Sequence, residues 1–224
     1  MVSSGRRLEA LPSRQVLADG VYEQIRALIM NDGIEPGARV NIDEIARELG
    51  VSGTPVREAL ARLESEELVS RLPLRGYRVT ELLNRKEVDD MYALRLLLEP
   101  PSAALAAVAM SDSSVAALEA ELATCPAAPV DDAYSDYKAL TAHDARLHEL
   151  ILRLAGNVAV EQAFARTHCH LHFFRLNYNQ PFGEQTIAEH RTIVDALVAG
   201  SATAARKAMT DHLEVARDRL LSRL

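Results

Sequence analysis

Residues 44–60 read Glu44-Ile45-Ala46-Arg47-Glu48-Leu49-Gly50-Val51-Ser52-Gly53-Thr54-Pro55-Val56-Arg57-Glu58-Ala59-Leu60. Two short helices and a tight turn fit inside this run. Ile45, Ala46 and Leu49 recur at helical spacing, and Gly50 follows as a stop. Val51-Ser52-Gly53 is the connection. Thr54 reads as the N-cap of the next helix, with Pro55 at its first position, where a missing N–H is harmless. Val56, Ala59, Leu60 and Leu63 make that helix's apolar stripe, which is expected to end near residue 68. Its other face carries Thr54, Arg57, Glu58, Ala61 and Arg62. Thr54 and Arg57 fall in the first turn, the part of a recognition helix that enters a major groove.

Outward from this run the pattern continues. Residues 16–30 predict a helix, 39–41 a short strand and 43–49 the support helix. Residues 69–72 and 77–80 predict a hairpin around Pro73-Leu74-Arg75-Gly76. Arg71, Arg75 and Arg78 surround its tip. From residue 83 onward the periodicity is helical: 86–109 with a kink or break at Pro100-Pro101, then 111–124, 131–154, 158–178, 185–198 and 202 to the end. The fold class is mainly α. A loose tail over 1–13 precedes a winged helix-turn-helix domain over 14–82 and an all-helical domain over 83–224.

A net charge of −7 argues against a generic nucleic-acid binder. Residues 1–83 hold eleven Arg, no Lys and thirteen Asp or Glu, a balance of 11 − 13 = −2. Site-specific recognition instead needs a few cations at phosphates and base edges. Arginine suits that work because its planar fork bonds guanine or phosphate in two places. Cys125 and Cys169 do not make a disulfide framework, and no apolar run has membrane length, so a cytoplasmic protein without membrane contact is expected.

The 44–60 run resembles the GntR family of transcriptional regulators, and Arg75-Gly76-Tyr77-Arg78-Val79 resembles that family's wing. The resemblance implies contacts to double-stranded DNA from Ser52, Thr54, Arg57, Arg75 and Gly76. Arg62 joins them from the position of its face. Gly53 and Asp43 stand where the family commonly has Arg, so two expected contacts are missing and the operator sequence does not carry over.

All seven histidines lie between His143 and His212. Asp144 and His148 are four apart on a helical segment and share a face. His190 and His212 lie on later helices, and a bundle can converge such side chains in its core. Three imidazoles and a carboxylate suit Zn²⁺, Ni²⁺ or Mn²⁺. By spacing alone they are equally satisfied core or surface residues. Residues 84–224 resemble the FadR-type effector domain with the FCD signature, through Arg95-Leu96-Leu97-Leu98-Glu99, Asp144/His148, Gly156-Asn157, Glu189-His190-Arg191 and His212. That resemblance implies Asp144, His148, His190 and His212 as metal ligands, with zinc first, and Arg95 as contact to a small organic-acid effector. The run His168-Cys169-His170-Leu171-His172 reads as partly solvated or dimer-facing. The alternative has His168, His172 and Arg175 lining the pocket from one helix face.

The expected function is a homodimeric regulator, a repressor on a palindromic operator, controlled by the effector. Two rivals are a sensor in which the ion itself is the signal, and a metal-dependent hydrolase. His148-Glu149 begins like a zincin motif, but residue 152 is Leu, so the second histidine is absent and no enzyme is expected.

Overall fold

The computed structural model describes residues 14–125, 134–177 and 184–224. The expected tail over 1–13 lies outside them, as do the first residues of the helix expected from 131. The chain divides into two compact units, Met1–Glu81 and Leu82–Leu224.

The first unit consists of α1 (Arg14–Met30), α2 (Ile42–Glu48) and α3 (Gly53–Ser65) with a small sheet of β1 (Arg39–Val40), β2 (Val69–Leu72) and β3 (Gly76–Val79). The strands are antiparallel in the order β1-β3-β2, with Arg39 opposite Arg78 and Arg71 opposite Tyr77. Asn41, read above as strand, instead caps α2: its side chain accepts from the N–H groups of Asp43 (3.1 Å) and Glu44 (3.2 Å). At the other end Gly50 has a φ of 63°. Its N–H reaches the Arg47 carbonyl at 3.3 Å, and the Val51 N–H reaches Ala46 at 2.9 Å. This is a Schellman closure, and it turns the chain sharply into α3.

The cap of α3 is Ser52 and not Thr54. Gly53 and Thr54 are already helical, and Pro55 is tolerated because the first turn's N–H groups have no intrahelical acceptor. The helix ends at Ser65, short of residue 68. Val56, Ala59, Leu60 and Leu63 are fully buried against Ile25 and Ile29 of α1, and Leu68, Val69 and Val79 close the core.

The second unit comprises α4 (Arg85–Val108), α5 (Asp112–Ala123), α6 (Tyr134–Leu154), α7 (Val158–Ala165), α8 (Cys169–Asn177), α9 (Glu184–Val198) and α10 (Ala202–Leu221). Asn84 and Glu87 form a capping box that starts α4. The break expected at Pro100-Pro101 is absent, and α4 runs through both prolines. The Ser102 hydroxyl donates to the Leu98 carbonyl at 2.6 Å. The long packing of α4 against α10, with Ala103, Ala106 and Ala107 buried, holds the helix together across the missing donors.

The helix expected over 158–178 is two helices. Between them Thr167 donates to the Phe164 carbonyl at 2.7 Å and accepts from the Cys169 N–H at 3.3 Å, and His168 takes a φ of 46°. Among the described residues no helix is long and apolar enough to cross a membrane.

Candidate metal centre and DNA-facing helix

Asp144 and His148 project from α6, His190 from α9 and His212 from α10. One ligand atom from each lies within 4.8 Å of all the others. The three imidazoles are buried, while Asp144 keeps 19% of its side chain exposed. Ring centroids are 4.9 Å apart for His190–His212, 5.2 Å for His148–His212 and 5.6 Å for His148–His190. His190 Nε2 stands 3.1 Å and His148 Nε2 3.7 Å from Asp144 Oδ1. Neither nitrogen makes a hydrogen bond. Two fully buried ring nitrogens facing a carboxylate without hydrogen-bond alignment are costly unless something else bonds them.

The opposite ring nitrogens are all held. His148 Nδ1 meets the Glu99 carboxylate, His212 Nδ1 lies 2.8 Å from Glu189 Oε2, and His190 Nδ1 faces a further imidazole, that of His143. A neutral imidazole that donates from Nδ1 presents its Nε2 lone pair inward, the tautomer a metal ligand requires. Burial pushes His148 down to about 3 despite the neighbouring Glu99, and burial lowers His212 likewise, so both are neutral at pH 7. Burial alone would raise the Asp144 carboxyl. Its contacts with His170 and His190 outweigh that and hold it well below the usual range. The donor set is three imidazole nitrogens and one carboxylate oxygen, which fits a divalent ion of the zinc, nickel or manganese type.

A cavity of about 430 Å³, part of it open to solvent, adjoins the cluster. Tyr92, Arg95, Asp144, His170, His212 and Arg219 are among its walls. Arg95 reaches this cavity, but its fork is already engaged. Nε lies 2.5 Å from Glu99 Oε1, and Nη2 lies 3.4 Å from Glu99 Oε2. It thus also steadies the carboxylate that orients His148.

Sequence reasoning missed Glu99, Glu189, His170 and Arg219. His170 lies 2.7 Å from Asp144 Oδ2 through Nδ1, and Arg219 bonds Thr186 Oγ1 at 3.2 Å and Glu189 Oε1 at 3.3 Å. Arg219 was findable, since it follows His212 by seven residues, two helical turns along one face. The run 168–172, expected to be partly solvated or dimer-facing, is partly exposed at His168 and Leu171, whereas His170, His172 and Arg175 are buried. His170, rather than His168 or His172, lines the cavity, because the Thr167 turn starts a new helix and rotates its faces.

On α3, Ser52, Thr54 and Arg57 are exposed, and the Ser52 side chain makes no capping bond to its own helix. The Arg57 guanidinium folds back onto Gly53, so close that a Cβ there would lie 3.0 Å from Nη1. Arg62 is committed within the unit: it pairs with Asp19 at 2.5 Å and stacks 4.0 Å over the Tyr22 ring. At the wing, Leu74 and Gly76 take φ of 61° and 83°, turning the hairpin so that Arg75 stands exposed at its tip.

Comparison with known proteins returns two family models in sequence. One, described as bacterial regulatory proteins of the gntR family, matches residues 17–79; the other, the FCD domain, matches residues 90–215. The chain is 28% identical over 193 residues to the HTH-type transcriptional regulator YdhC of Bacillus subtilis strain 168, covering 85% of each. It is 28% identical over 236 residues to the putative L-lactate dehydrogenase operon regulatory protein of Escherichia coli K12, covering 91% of this chain and 85% of that one. Among solved structures, Escherichia coli McbR/YncC shares the fold with a TM-score of 0.68 at 22% identity, over 92% of this chain and 97% of that one.

Proposed function

Because the chain belongs to the GntR family of bacterial regulatory proteins, with an FCD domain after its DNA-binding unit, we propose that it is a repressor controlled by a small carboxylate at a metal held by Asp144, His148, His190 and His212. The family makes it a DNA-binding transcriptional regulator and not an enzyme. The observation that carries the effector reading is the convergence of inward-facing imidazole nitrogens beside a cavity that two arginines border.

Each residue then has a task. His148, His190 and His212, oriented from behind, and Asp144 hold the ion. A divalent ion there supplies positive charge to which a carboxylate oxygen can bind. Arg219 and Arg95 supply further positive charge along the cavity wall, and Tyr92 and Phe173, stacked 4.7 Å apart, supply apolar walls. The relative named for an L-lactate dehydrogenase operon is in keeping with a small hydroxy acid. On DNA, Arg57 and Thr54 read base edges, Ser52 and the wing at Arg75 and Gly76 hold the backbone, and Arg62 braces α3 on α1. The protein works in the cytoplasm, where its operator is.

A homodimer brings two recognition helices to half-sites about 34 Å apart on a palindrome. An exposed apolar stripe on α4, Leu94, Leu97, Leu105 and Val108, supports this, since it recurs at helical spacing and Leu97 is 73% exposed. Effector binding favours one of two states of the dimer that differ in affinity for DNA.

A thermal-shift screen tests the site. Lactate, citrate and related acids are expected to raise the unfolding temperature of zinc-loaded protein and leave stripped protein unchanged. Stabilisation by zinc alone, with no acid adding to it in the shift or in operator affinity, would favour the pure metal sensor.

A further inference from the structure

We propose that His143 is a positioning residue for His190, acting as the hydrogen-bond acceptor in a relay that ends on Glu121. The proposal deepens the metal reading above and rests on it.

His143 is fully buried on α6, one residue before Asp144. Its Nε2 lies 3.1 Å from His190 Nδ1. Its Nδ1 lies 3.0 Å from Glu121 Oε1 and 3.1 Å from the Glu121 backbone oxygen. Those oxygens are acceptors, so in neutral His143 the proton sits on Nδ1 and Nε2 is left as a lone pair. That lone pair can only accept, and so it fixes the His190 proton on Nδ1. His190 Nε2 is then free of its proton and faces Asp144 Oδ1. The reverse assignment turns the His143 Nδ1 lone pair on two oxygens and puts the His190 proton on the nitrogen that faces the centre. The relay and metal binding therefore select the same tautomers.

The far end is anchored. Arg146 Nε lies 3.1 and 3.0 Å from the two Glu121 carboxylate oxygens, and Arg146 Nη2 lies 2.9 Å from Oε1. Thr124 Oγ1 donates to Oε1 at 2.9 Å. His148 and His212 have carboxylates directly behind them, whereas His190 reaches its carboxylate through one intervening imidazole. Losing such a partner costs a metal site about 10–100-fold in affinity.

The test compares His143→Gln, whose amide oxygen can stand where Nε2 was, with His143→Phe, which fills the space and accepts nothing. Zinc affinity is measured on the full chain by competition with a chromophoric chelator. His143→Phe is expected to bind zinc about 10–100-fold more weakly, and His143→Gln to stay within roughly threefold of wild type. The imidazole ¹⁵N spectrum of zinc-loaded wild type should show a slowly exchanging Nδ1–H on His190 that His143→Phe lacks. Wild-type affinity in His143→Phe, or equal losses in both variants, would overturn the proposal; equal losses would mean that His143 only fills space. Failure of wild type itself to take up zinc would instead overturn the metal reading beneath it. Should His143→Phe not fold, His143→Leu carries the same comparison.

Discussion

Gly53 lacks a side chain, and the Arg57 guanidinium uses the space. That gives Gly53→Ala effects of opposite sign. Alanine suits a helix better than glycine by roughly 0.5–1 kcal/mol, so thermal stability should rise. The new Cβ, 3.0 Å from Arg57 Nη1, should displace the guanidinium and weaken discrimination between a selected operator and a scrambled duplex. Unchanged discrimination in a stabilised variant would remove Arg57 from base readout. Arg57→Ala itself should cost about 1–3 kcal/mol of discrimination while metal content holds. The reciprocal variant, His190→Ala, should lose metal and keep its DNA affinity; full occupancy on elemental analysis would exclude His190 from the ligand set.

The wing and α4 carry predictions of their own. Arg75→Ala should weaken binding about equally on all duplexes and flatten the salt dependence by roughly one ion, because a phosphate contact carries no sequence information. A loss confined to one operator would show that Arg75 reads bases. Leu97→Asp, placed in the middle of the apolar stripe, should shift the protein toward monomer in sedimentation; a dimer of wild-type stability would place the interface elsewhere.

How far elements could be read depended on where their signals lie. The turn at Gly50 and the stripe from Val56 to Leu63 were plain because local spacing encodes them. The boundary between α7 and α8 carries no glycine or proline, only Thr167 bonding forward and back around His168, and it read as continuous helix. Pro100 and Pro101 misled in the other direction, since tertiary packing on α10 keeps α4 helical. The residues behind the histidines were illegible for a related reason. Glu99 lies 49 residues from His148 and Glu189 lies 23 from His212, separations that mean nothing until the helices are packed.

Across the whole molecule, the buried cluster ties stability to pH. His143, His148 and His212 all sit below the ordinary imidazole value because burial disfavours their charge, His148 at about 3. As pH falls through about 6.5, the unfolded chain takes up protons that the folded chain refuses, so metal-free protein should lose stability on acidification. His170 is shifted the other way, to about 10, with Cys169 and Asp144 overcoming burial. Its contribution grows as pH falls from 10 toward 6.5 and below, so between pH 7.5 and 5.5 it offsets part of the acid loss, and the three lowered imidazoles outweigh it. Urea titrations of stripped protein at pH 7.5 and 5.5 measure this. Greater stability at 5.5 would contradict the neutral assignment of the three buried imidazoles.

The same cluster is proposed to govern DNA affinity. The most direct test is fluorescence anisotropy on an operator selected from randomised duplex, using one preparation stripped of metal, then zinc-loaded, then given a small carboxylate. The acid should lower operator affinity at least about fivefold, only with zinc present, and not in His190→Ala. Equal affinity in all three conditions, or no preference for any duplex over random DNA, would contradict it.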